Sequence, residues 1–379
     1  MKLIVCSALP TSRIFGEKVD AWWYAKNGFD VEFWDLSPIF IPSEKLERFY
    51  SGSESYRYQG PGHTIFSDPA ELDGVLRKNS ASLFWYLSRF DRMLNDDFLI
   101  ELFTRHQIKY VFQHFDPYDS AVCWSDCLKK PLRDLRERWL SRVCNPVAVV
   151  TSGTTGRRQV RSRYPKAGVI SIPSVKVLWE EAATPDRTKY AVFVDESIAF
   201  DPDEQLHGNV LCEDVDSYYR RMRELFDVVE ESLMIPVKVG CSGKYHYPDA
   251  EQRFGRRDVV YGQTLRLVQG CTLALGHLSL ALDQAIVSRK PVVLVDDVSF
   301  TAWRRKRFRD VIGRLCQRPM LNTEINNEVL KRAMARDLSF YGGIVINYFL
   351  EPHINGDYRR ICADSFQAIS TNLLTRKAI

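Results

Sequence analysis

Short apolar runs alternate with helically spaced stretches along the first half of the chain. Runs of apolar, β-branched and aromatic residues bounded by polar residues predict buried strands, at Lys2–Cys6, Asp30–Leu36, Lys109–His114, Val147–Ser152 and Gly168–Ile172. Helical spacing predicts helices around Glu17–Lys26 and Phe98–His106. The stretch from Ile41 to Gly62 has no clear period and is predicted to be an irregular insertion. This alternation is typical of α/β domains with mainly parallel sheets.

The second half repeats the pattern after a polar segment, Ala183–Lys189, which is the predicted domain boundary. A strand at Tyr190–Glu196 precedes a helix that Asp214 is expected to cap, with one apolar face from Val215 to Val229. Further strands are predicted at Pro236–Cys241, Asp258–Gly262, Thr272–His277 and Pro291–Asp297, with a helix from Ser279 to Arg289. We therefore predict an α/β protein of two Rossmann-like domains facing a cleft. These are residues 1–185 and residues 186–379, the second including the C-terminal helices, and ligands of such sheets bind at the carboxyl ends of the strands.

Composition narrows the class of protein without naming an activity. The 379 residues suit about two domains, and 45% hydrophobic with 26% charged residues excludes a disordered or fibrous chain. A net charge of only +4 argues against a nucleic-acid partner. No apolar run is long enough to span a membrane, and the N-terminus lacks the features of a signal peptide, so a cytoplasmic location is expected. Nine cysteines without a CxxC pair predict neither a disulfide framework nor a zinc site.

The string TSGTTG follows the strand predicted at Val147–Ser152. Small hydroxyl residues and glycines at such a turn let backbone N–H groups surround a phosphate. Three residues are therefore candidate phosphate contacts: Ser152, Gly153 and Thr154. Adenylate-forming ligases carry a similar string, but the lysine expected after their loop is absent here. The alternative is a glycine-rich turn with a purely structural role.

A second candidate phosphate site lies between Gly262 and Pro291. Gln263 and Thr264 open a short predicted helix, and His277 and Ser279 stand where a strand turns into a helix. Backbone N–H groups and the positive dipole end at a helix start attract phosphate. The alternative is that Ser279 only caps the helix and that His277 is a buried histidine with its hydrogen bonds satisfied.

These segments resemble the C-terminal domain of GT-B-type glycosyltransferases of bacterial surface-polysaccharide biosynthesis, in particular nonulosonate and Kdo transferases. The resemblance covers about residues 190–297 and rests on the strings FVDE, SYYRRMRELFDVVEESL, R-x-V-V-Y-G-x-T and GH-x-S-x-A-x-x-x-A-I-x-x-x-KPV. It implies a nucleotide-sugar donor, such as a CMP-sugar, held by the second domain. Related enzymes often carry His-Pro after the strand that here ends at Cys241. This chain has Ser242-Gly243 there, followed by Lys244, which would supply the charge for a phosphate, as would His246 if protonated.

An inverting enzyme of this kind needs a general base to take the proton of the acceptor hydroxyl. Asp195 and Glu196 end a predicted strand, and Asp116 follows another in HFDPYD, so these three carboxylates are the candidates. The alternative for each is a loop cap or a surface charge. The string DPD at Asp201–Asp203 is similar to the Asp-x-Asp metal site of the other glycosyltransferase fold. The two-domain layout predicts instead no metal and no cofactor beyond the donor.

The segment Trp303–Arg318 has seven basic residues and one acidic residue. It predicts either a packed helix with a solvated basic face or peripheral contact with an anionic membrane, where lipid-linked glycan acceptors reside. The sequence as a whole predicts a metal-independent transferase that moves a sugar from a nucleotide-sugar to a surface-glycan or lipid-linked glycan acceptor. The alternatives are a sugar-nucleotide epimerase of the same layout and a non-catalytic module that binds a glycan or nucleotide.

Overall fold

The computed structural model describes residues 1–11, 19–51, 58, 60, 62–87, 97–113, 146–174, 188–206, 208–305, 308, 318–350 and 357–375. The chain divides into two compact units. The first comprises Met1–Glu47, Ser55–Val175 and Ile346–Ile379, and the second comprises Arg48–Glu54 and Lys176–Val345. Asp116 and most of the basic segment Trp303–Arg318 lie outside the described residues.

The first unit is built on a parallel sheet of seven strands in the order β3-β2-β1-β4-β5-β6-β7. Alternate residues of a strand face opposite sides of the sheet, so Ile4 packs in the core on one face while Leu3 and Val5 pack in the core on the other. The strands are β1 Lys2–Ser7, β2 Asp30–Asp35, β3 His63–Ile65, β4 Leu83–Tyr86, β5 Lys109–Gln113, β6 Ala148–Thr151 and β7 Gly168–Ser171.

Helices accompany these strands along the sequence. They are α1 Ala21–Lys26, α2 Ser37–Phe40, α3 Ser43–Ser51, α4 Pro69–Lys78, α5 Asp97–Arg105 and α6 Gly153–Arg163. The prediction of an irregular insertion from Ile41 to Gly62 is wrong, because α3 occupies much of it and buries Leu46 and Phe49. Strand β4 was not predicted, although its four residues are all buried.

The second unit contains a parallel sheet of six strands in the order β10-β9-β8-β11-β12-β13. Its strands are β8 Ala191–Asp195, β9 Val237–Cys241, β10 Asp258–Tyr261, β11 Leu273–Gly276, β12 Val292–Asp296 and β13 Met320–Leu321. This order is that of a Rossmann-type sheet, with β8 between β9 and β11. Both halves of the chain therefore form the parallel α/β units that the sequence predicts.

Helices of the second half are α7 Pro202–Leu206, α8 Val215–Leu233, α9 Ala250–Phe254, α10 Thr264–Gly270, α11 Leu282–Val287, α12 Asn327–Met334 and α13 Tyr341–Ile344, with a 3₁₀ turn at Asn322–Glu324 and a π-helix at Val345–Phe349. The predicted cap of α8 is confirmed, because the Asp214 carboxylate accepts the Ser217 N–H at 3.1 Å. Helix α11 is shorter than predicted at both ends. No helix in the described part of the chain is long and apolar enough to cross a membrane.

The last helix, α14 Tyr358–Thr375, packs in the first unit. Its Phe366 side chain is fully buried, with its ring centroid 5.1 Å from that of Trp85. An ion pair between Arg359 and Asp20, at 2.8 Å, joins the same helix to the start of α1. The predicted second domain included the C-terminal helices, whereas α14 completes the apolar core of the first unit.

Candidate functional site

The carboxyl ends of strands β8 to β11 carry most of the predicted site residues of the second unit. All strands of that sheet are parallel, so the loops that follow them leave from one edge. Two of these loops are in direct contact. The Thr264 hydroxyl and the Gly262 N–H each donate to the carbonyl oxygen of Cys241 at 3.0 Å. The structure therefore brings the loop after β9 and the turn after β10 together at the same edge.

These two loops present four of the predicted binding residues. Gln263 is exposed, in a turn that Gly262 makes possible with its left-handed backbone (φ +72°). Ser242 is half-buried, and the Lys244 ammonium group contacts the Asp203 carboxylate. The Thr264 hydroxyl is already hydrogen-bonded within the protein, because it donates to the Cys241 carbonyl oxygen. This edge of the sheet thus carries one exposed amide and one cation from neighbouring strands.

Two stacked pairs of rings line the same loops, and only one of the four rings, that of His246, belonged to a residue singled out from the sequence. The His246 ring stacks on Tyr261 with centroids 4.3 Å apart, and Tyr245 stacks on Phe200 at 4.6 Å. His246 is exposed, and the other three rings are half-buried. Planar aromatic faces of this kind suit stacking with a nucleobase or a sugar ring. The aromatic density of KYHYP (244–248) was a signal in the sequence that could have identified Tyr245 and His246, whereas no such signal marks Phe200 and Tyr261.

Asp195 ends the central strand β8 and is only 2% exposed. Its Oδ2 atom accepts hydrogen bonds from the Tyr247 hydroxyl at 2.8 Å and from the Ser197 N–H at 3.1 Å. Burial raises the pKa of Asp195 to about 6, although these hydrogen bonds oppose the rise. The carboxylate thus anchors Tyr247, and with it the loop after β9, from the inside of the unit.

Glu196 is also engaged within the protein. Its carboxylate accepts the Leu278 N–H at 2.5 Å and forms an ion pair with Arg304, which is 3% exposed. Burial opposes ionisation of Glu196, but the charge of Arg304 holds its pKa below the usual range. Sequence reasoning missed Arg304 as part of this site, because the basic run around it predicted an exposed face.

The structure describes two of the first four basic residues in the segment Trp303–Arg318, and these two differ in exposure. The exposed-face prediction is wrong for Arg304, which is buried on Glu196. Arg305 donates to the carbonyl oxygens of Asp297 and Val298 at 3.0 and 3.1 Å. Lys306 and Arg307 lie outside the described residues.

His277 and Ser279, after β11, are hydrogen-bonded within the protein, as in the alternative of a buried histidine and a serine that only closes the turn before a helix. His277 is fully buried, with Nδ1 2.6 Å from the Val295 carbonyl and Nε2 2.9 Å from the Tyr218 hydroxyl. Burial lowers the pKa of His277 to about 4, so the ring is neutral at pH 7. The Ser279 hydroxyl accepts the Ala281 N–H at 3.2 Å and closes the turn before α11.

The TSGTTG string binds the chain's own backbone in the first unit. The Ser152 hydroxyl donates to the Tyr348 carbonyl at 3.0 Å, and the Thr154 hydroxyl donates to the Asn347 side chain at 3.2 Å. Gly153 has a left-handed backbone (φ +66°), and a Cβ atom there would lie 2.5 Å from the Asn347 carbonyl oxygen. The strand-to-helix turn is confirmed, and its polar groups hold residues 347–348.

The DPD string is likewise used inside the second unit. Asp201 accepts the Asp203 N–H at 2.8 Å, and burial raises the pKa of Asp201. The Asp203 carboxylate forms an ion pair with Lys244. Within the described ranges, no three His, Cys, Asp or Glu side chains are grouped so as to hold a metal ion. The third candidate base, Asp116, lies outside those ranges.

No protein family and no curated protein sequence matches the chain. Solved structures do match its fold. UDP-GlcNAc 2-epimerase from Methanocaldococcus jannaschii is 10% identical, with 97% of this chain and 100% of that chain covered and a TM-score of 0.52. S. aureus MnaA, solved with UDP, is 9% identical, with 95% and 94% covered and a TM-score of 0.50. Acinetobacter baumannii MurG is 9% identical, with 97% and 100% covered and a TM-score of 0.49.

The chain shares its fold with these structures, but sequence identities of 9–10% are too low to assign their activities to it. The predicted fold class of two Rossmann-like α/β domains is confirmed, and the cleft between them stays a prediction. The narrower resemblance to nonulosonate and Kdo transferases stays a prediction.

Proposed function

We propose that this protein is a nucleotide-sugar-dependent glycosyltransferase whose second unit holds the donor. The observation that carries the proposal is the meeting of the loops after β9 and β10 at the carboxyl edge of the sheet, through the Cys241 carbonyl. Ligands of open α/β sheets bind at that edge. The fold likeness to S. aureus MnaA, a structure that contains UDP, supports a nucleotide ligand.

Each group at this edge has a role in the proposal. The exposed His246 ring, stacked on Tyr261, offers a face to the nucleobase. The Gln263 amide is positioned to hydrogen-bond the base or ribose. Lys244 provides the positive charge for the phosphate, by exchanging Asp203 for the ligand. The proposal therefore needs no metal and no further cofactor.

The acceptor side of the proposal belongs to the first unit. We propose a surface glycan or a lipid-linked glycan as acceptor, as the sequence resemblance implies. Asp195 and Glu196 are both held by internal hydrogen bonds, which favours Asp116 as the general base. Peripheral contact of the segment Trp303–Arg318 with an anionic membrane stays a prediction, in which Arg304 takes no part because it is buried on Glu196.

Calorimetric titration with CMP-, UDP-, GDP- and dTDP-sugars tests the donor site. We expect one of them to bind. Lys244→Ala should weaken that binding by about tenfold or more, since a charged hydrogen bond contributes about 1.5–3 kcal/mol. Gln263→Ala should weaken it by about two- to tenfold, since a neutral hydrogen bond contributes about 0.5–1.5 kcal/mol. Arg266→Ala is the matched control, because Arg266 is exposed on the same helix α10. Equal affinity in the wild type and in both variants would place the nucleotide elsewhere.

A sugar-nucleotide epimerase is the second candidate, and the fold likeness to the M. jannaschii UDP-GlcNAc 2-epimerase favours it. Incubation of the bound donor without an acceptor separates the two activities. An epimerase converts the sugar, whereas a transferase leaves it unchanged until a glycan acceptor is added. Tight binding with neither reaction would leave the third alternative, a module that binds without turnover.

A further inference from the structure

The carboxylate of Glu196 sits between a backbone donor and a buried arginine at the edge of the second sheet. Leu278 N–H donates to its Oε1 atom at 2.5 Å, and Arg304 pairs with its Oε2 atom. The two partners are 82 and 108 residues away in the sequence. A turn amide and a guanidinium that converge on one anion are the donors that proteins use for phosphate oxygens.

Arg304 has more donor capacity than Glu196 satisfies. Its side chain is 3% exposed, and its Nε atom is buried without a hydrogen-bond partner among the described residues. A buried donor without an acceptor costs free energy, so such atoms in native proteins call for an explanation. In this arrangement Glu196 accepts from an Nη atom of Arg304 and not from its Nε atom, and a phosphate, with acceptor oxygens on several sides, would satisfy both.

We propose that Leu278 N–H and Arg304 form an anion seat that the Glu196 carboxylate occupies, and that a phosphate group enters it only when this carboxylate is neutralised or withdrawn. Glu196 is then a residue that sets phosphate affinity, and not a general base. The identification of the anion as a donor phosphate rests on the proposed function. The seat itself rests on the geometry of these three residues.

The test measures binding of inorganic pyrophosphate by calorimetry to the full chain and to Glu196→Gln. Glutamine keeps the size of the side chain but removes its charge, which leaves Arg304 without a counter-ion and lets a phosphate displace the side chain from Leu278 N–H. We expect Glu196→Gln to bind pyrophosphate at least tenfold more tightly than the wild type. The double variant Glu196→Gln/Arg304→Gln should lose that gain.

The chain offers a matched control in Glu230. Its carboxylate also accepts a backbone N–H, that of Val237 at 2.9 Å, and also pairs with an arginine, Arg257 at 2.8 Å. Val237 begins β9, so this pair lies at the opposite edge of the same sheet. Glu230→Gln therefore makes the same chemical change away from the site, and we expect no gain in pyrophosphate affinity.

An unchanged or weaker pyrophosphate affinity in a folded Glu196→Gln variant overturns the inference, and so does an equal gain in Glu230→Gln. If Glu196→Gln does not fold, Glu196→Asp replaces it, because the shorter side chain withdraws the carboxylate from Leu278. No gain in that variant also refutes the seat. Donor binding that depends on Lys244 and Gln263, without any pyrophosphate gain, leaves the proposed function standing. A gain in pyrophosphate affinity without any donor binding supports the anion seat and leaves the proposed function unsupported.

Discussion

Replacing Asp195 by asparagine tests whether its carboxylate is a buried anchor or a general base. The side chain is 2% exposed and holds the Tyr247 hydroxyl at 2.8 Å and the Ser197 N–H at 3.1 Å. Asparagine has nearly the same shape, and its carbonyl oxygen can accept both hydrogen bonds. What the substitution removes is the negative charge. Its effect on stability should therefore depend on pH.

The expected magnitude follows from the raised pKa of Asp195. In the unfolded chain the group titrates near its ordinary value of 3.8, and in the folded protein burial raises the pKa to about 6. Between these values the folded state binds more protons, so the free energy of unfolding falls as pH rises from about 4 to about 6. Above that range the buried charge costs about 3 kcal/mol. An asparagine side chain at this position would not carry this cost at any pH.

Urea unfolding of the wild type and Asp195→Asn at pH 5 and pH 8 measures this cost. We expect the stability of the variant relative to the wild type to increase between the two pH values by about 1–2 kcal/mol, because much of the titration lies between them. The hydrogen bonds that asparagine keeps cancel in this comparison. An identical difference at both pH values would refute the raised pKa and the buried-anchor role. A loss of turnover of about 10²–10⁴ with unchanged donor affinity would instead support Asp195 as the base.

Two further substitutions test contacts of the first unit. Gly153→Ala should lower the free energy of unfolding by about 2–4 kcal/mol, because the backbone is left-handed and the new Cβ atom would clash with Asn347. The control is Gly74→Ala in helix α4, where open space surrounds the glycine and the substitution should be neutral or stabilising. Equal effects of the two substitutions in urea unfolding would contradict the close approach at Gly153. Phe366→Ala should cost about 3–5 kcal/mol as a large buried side chain, whereas Gln367→Ala, exposed on the same helix, should change the unfolding midpoint little. A mild Phe366→Ala effect would argue against packing of α14 on Trp85.

Most of the fold could be predicted from the sequence, because buried parallel strands are short apolar runs with clear boundaries. Strand β4 was equally visible as LFWYL and was simply not identified. Helix α3 was not predicted, because the long polar and glycine-containing segment after it masked the spacing of Leu46 and Phe49. The place of α14 could not be predicted, since only tertiary packing of Phe366 assigns that helix to the first unit.

The candidate site was predictable only in part. Topology alone places the loops after β9 and β10 side by side, so strand order predicts that the loops carrying Lys244 and Gln263 are neighbours. The partners of Glu196 and His277 do not follow from local sequence. Leu278 and Arg304 reach Glu196 from 82 and 108 residues away, and the same basic run that contains Arg304 also contains the exposed Arg305. Tertiary packing buries Arg304 and leaves Arg305 exposed, and no local sequence pattern distinguishes the two.

The position of α14 has a consequence for synthesis on the ribosome. The strands of the first unit emerge early, but the helix that covers Trp85 and Tyr24 belongs to Ile346–Ile379. Residues 176–345 must be translated in between, which takes about 10–30 s at about 5–20 residues per second. During that interval the apolar core around Trp85 and Tyr24 lacks the helix that completes it in the folded protein.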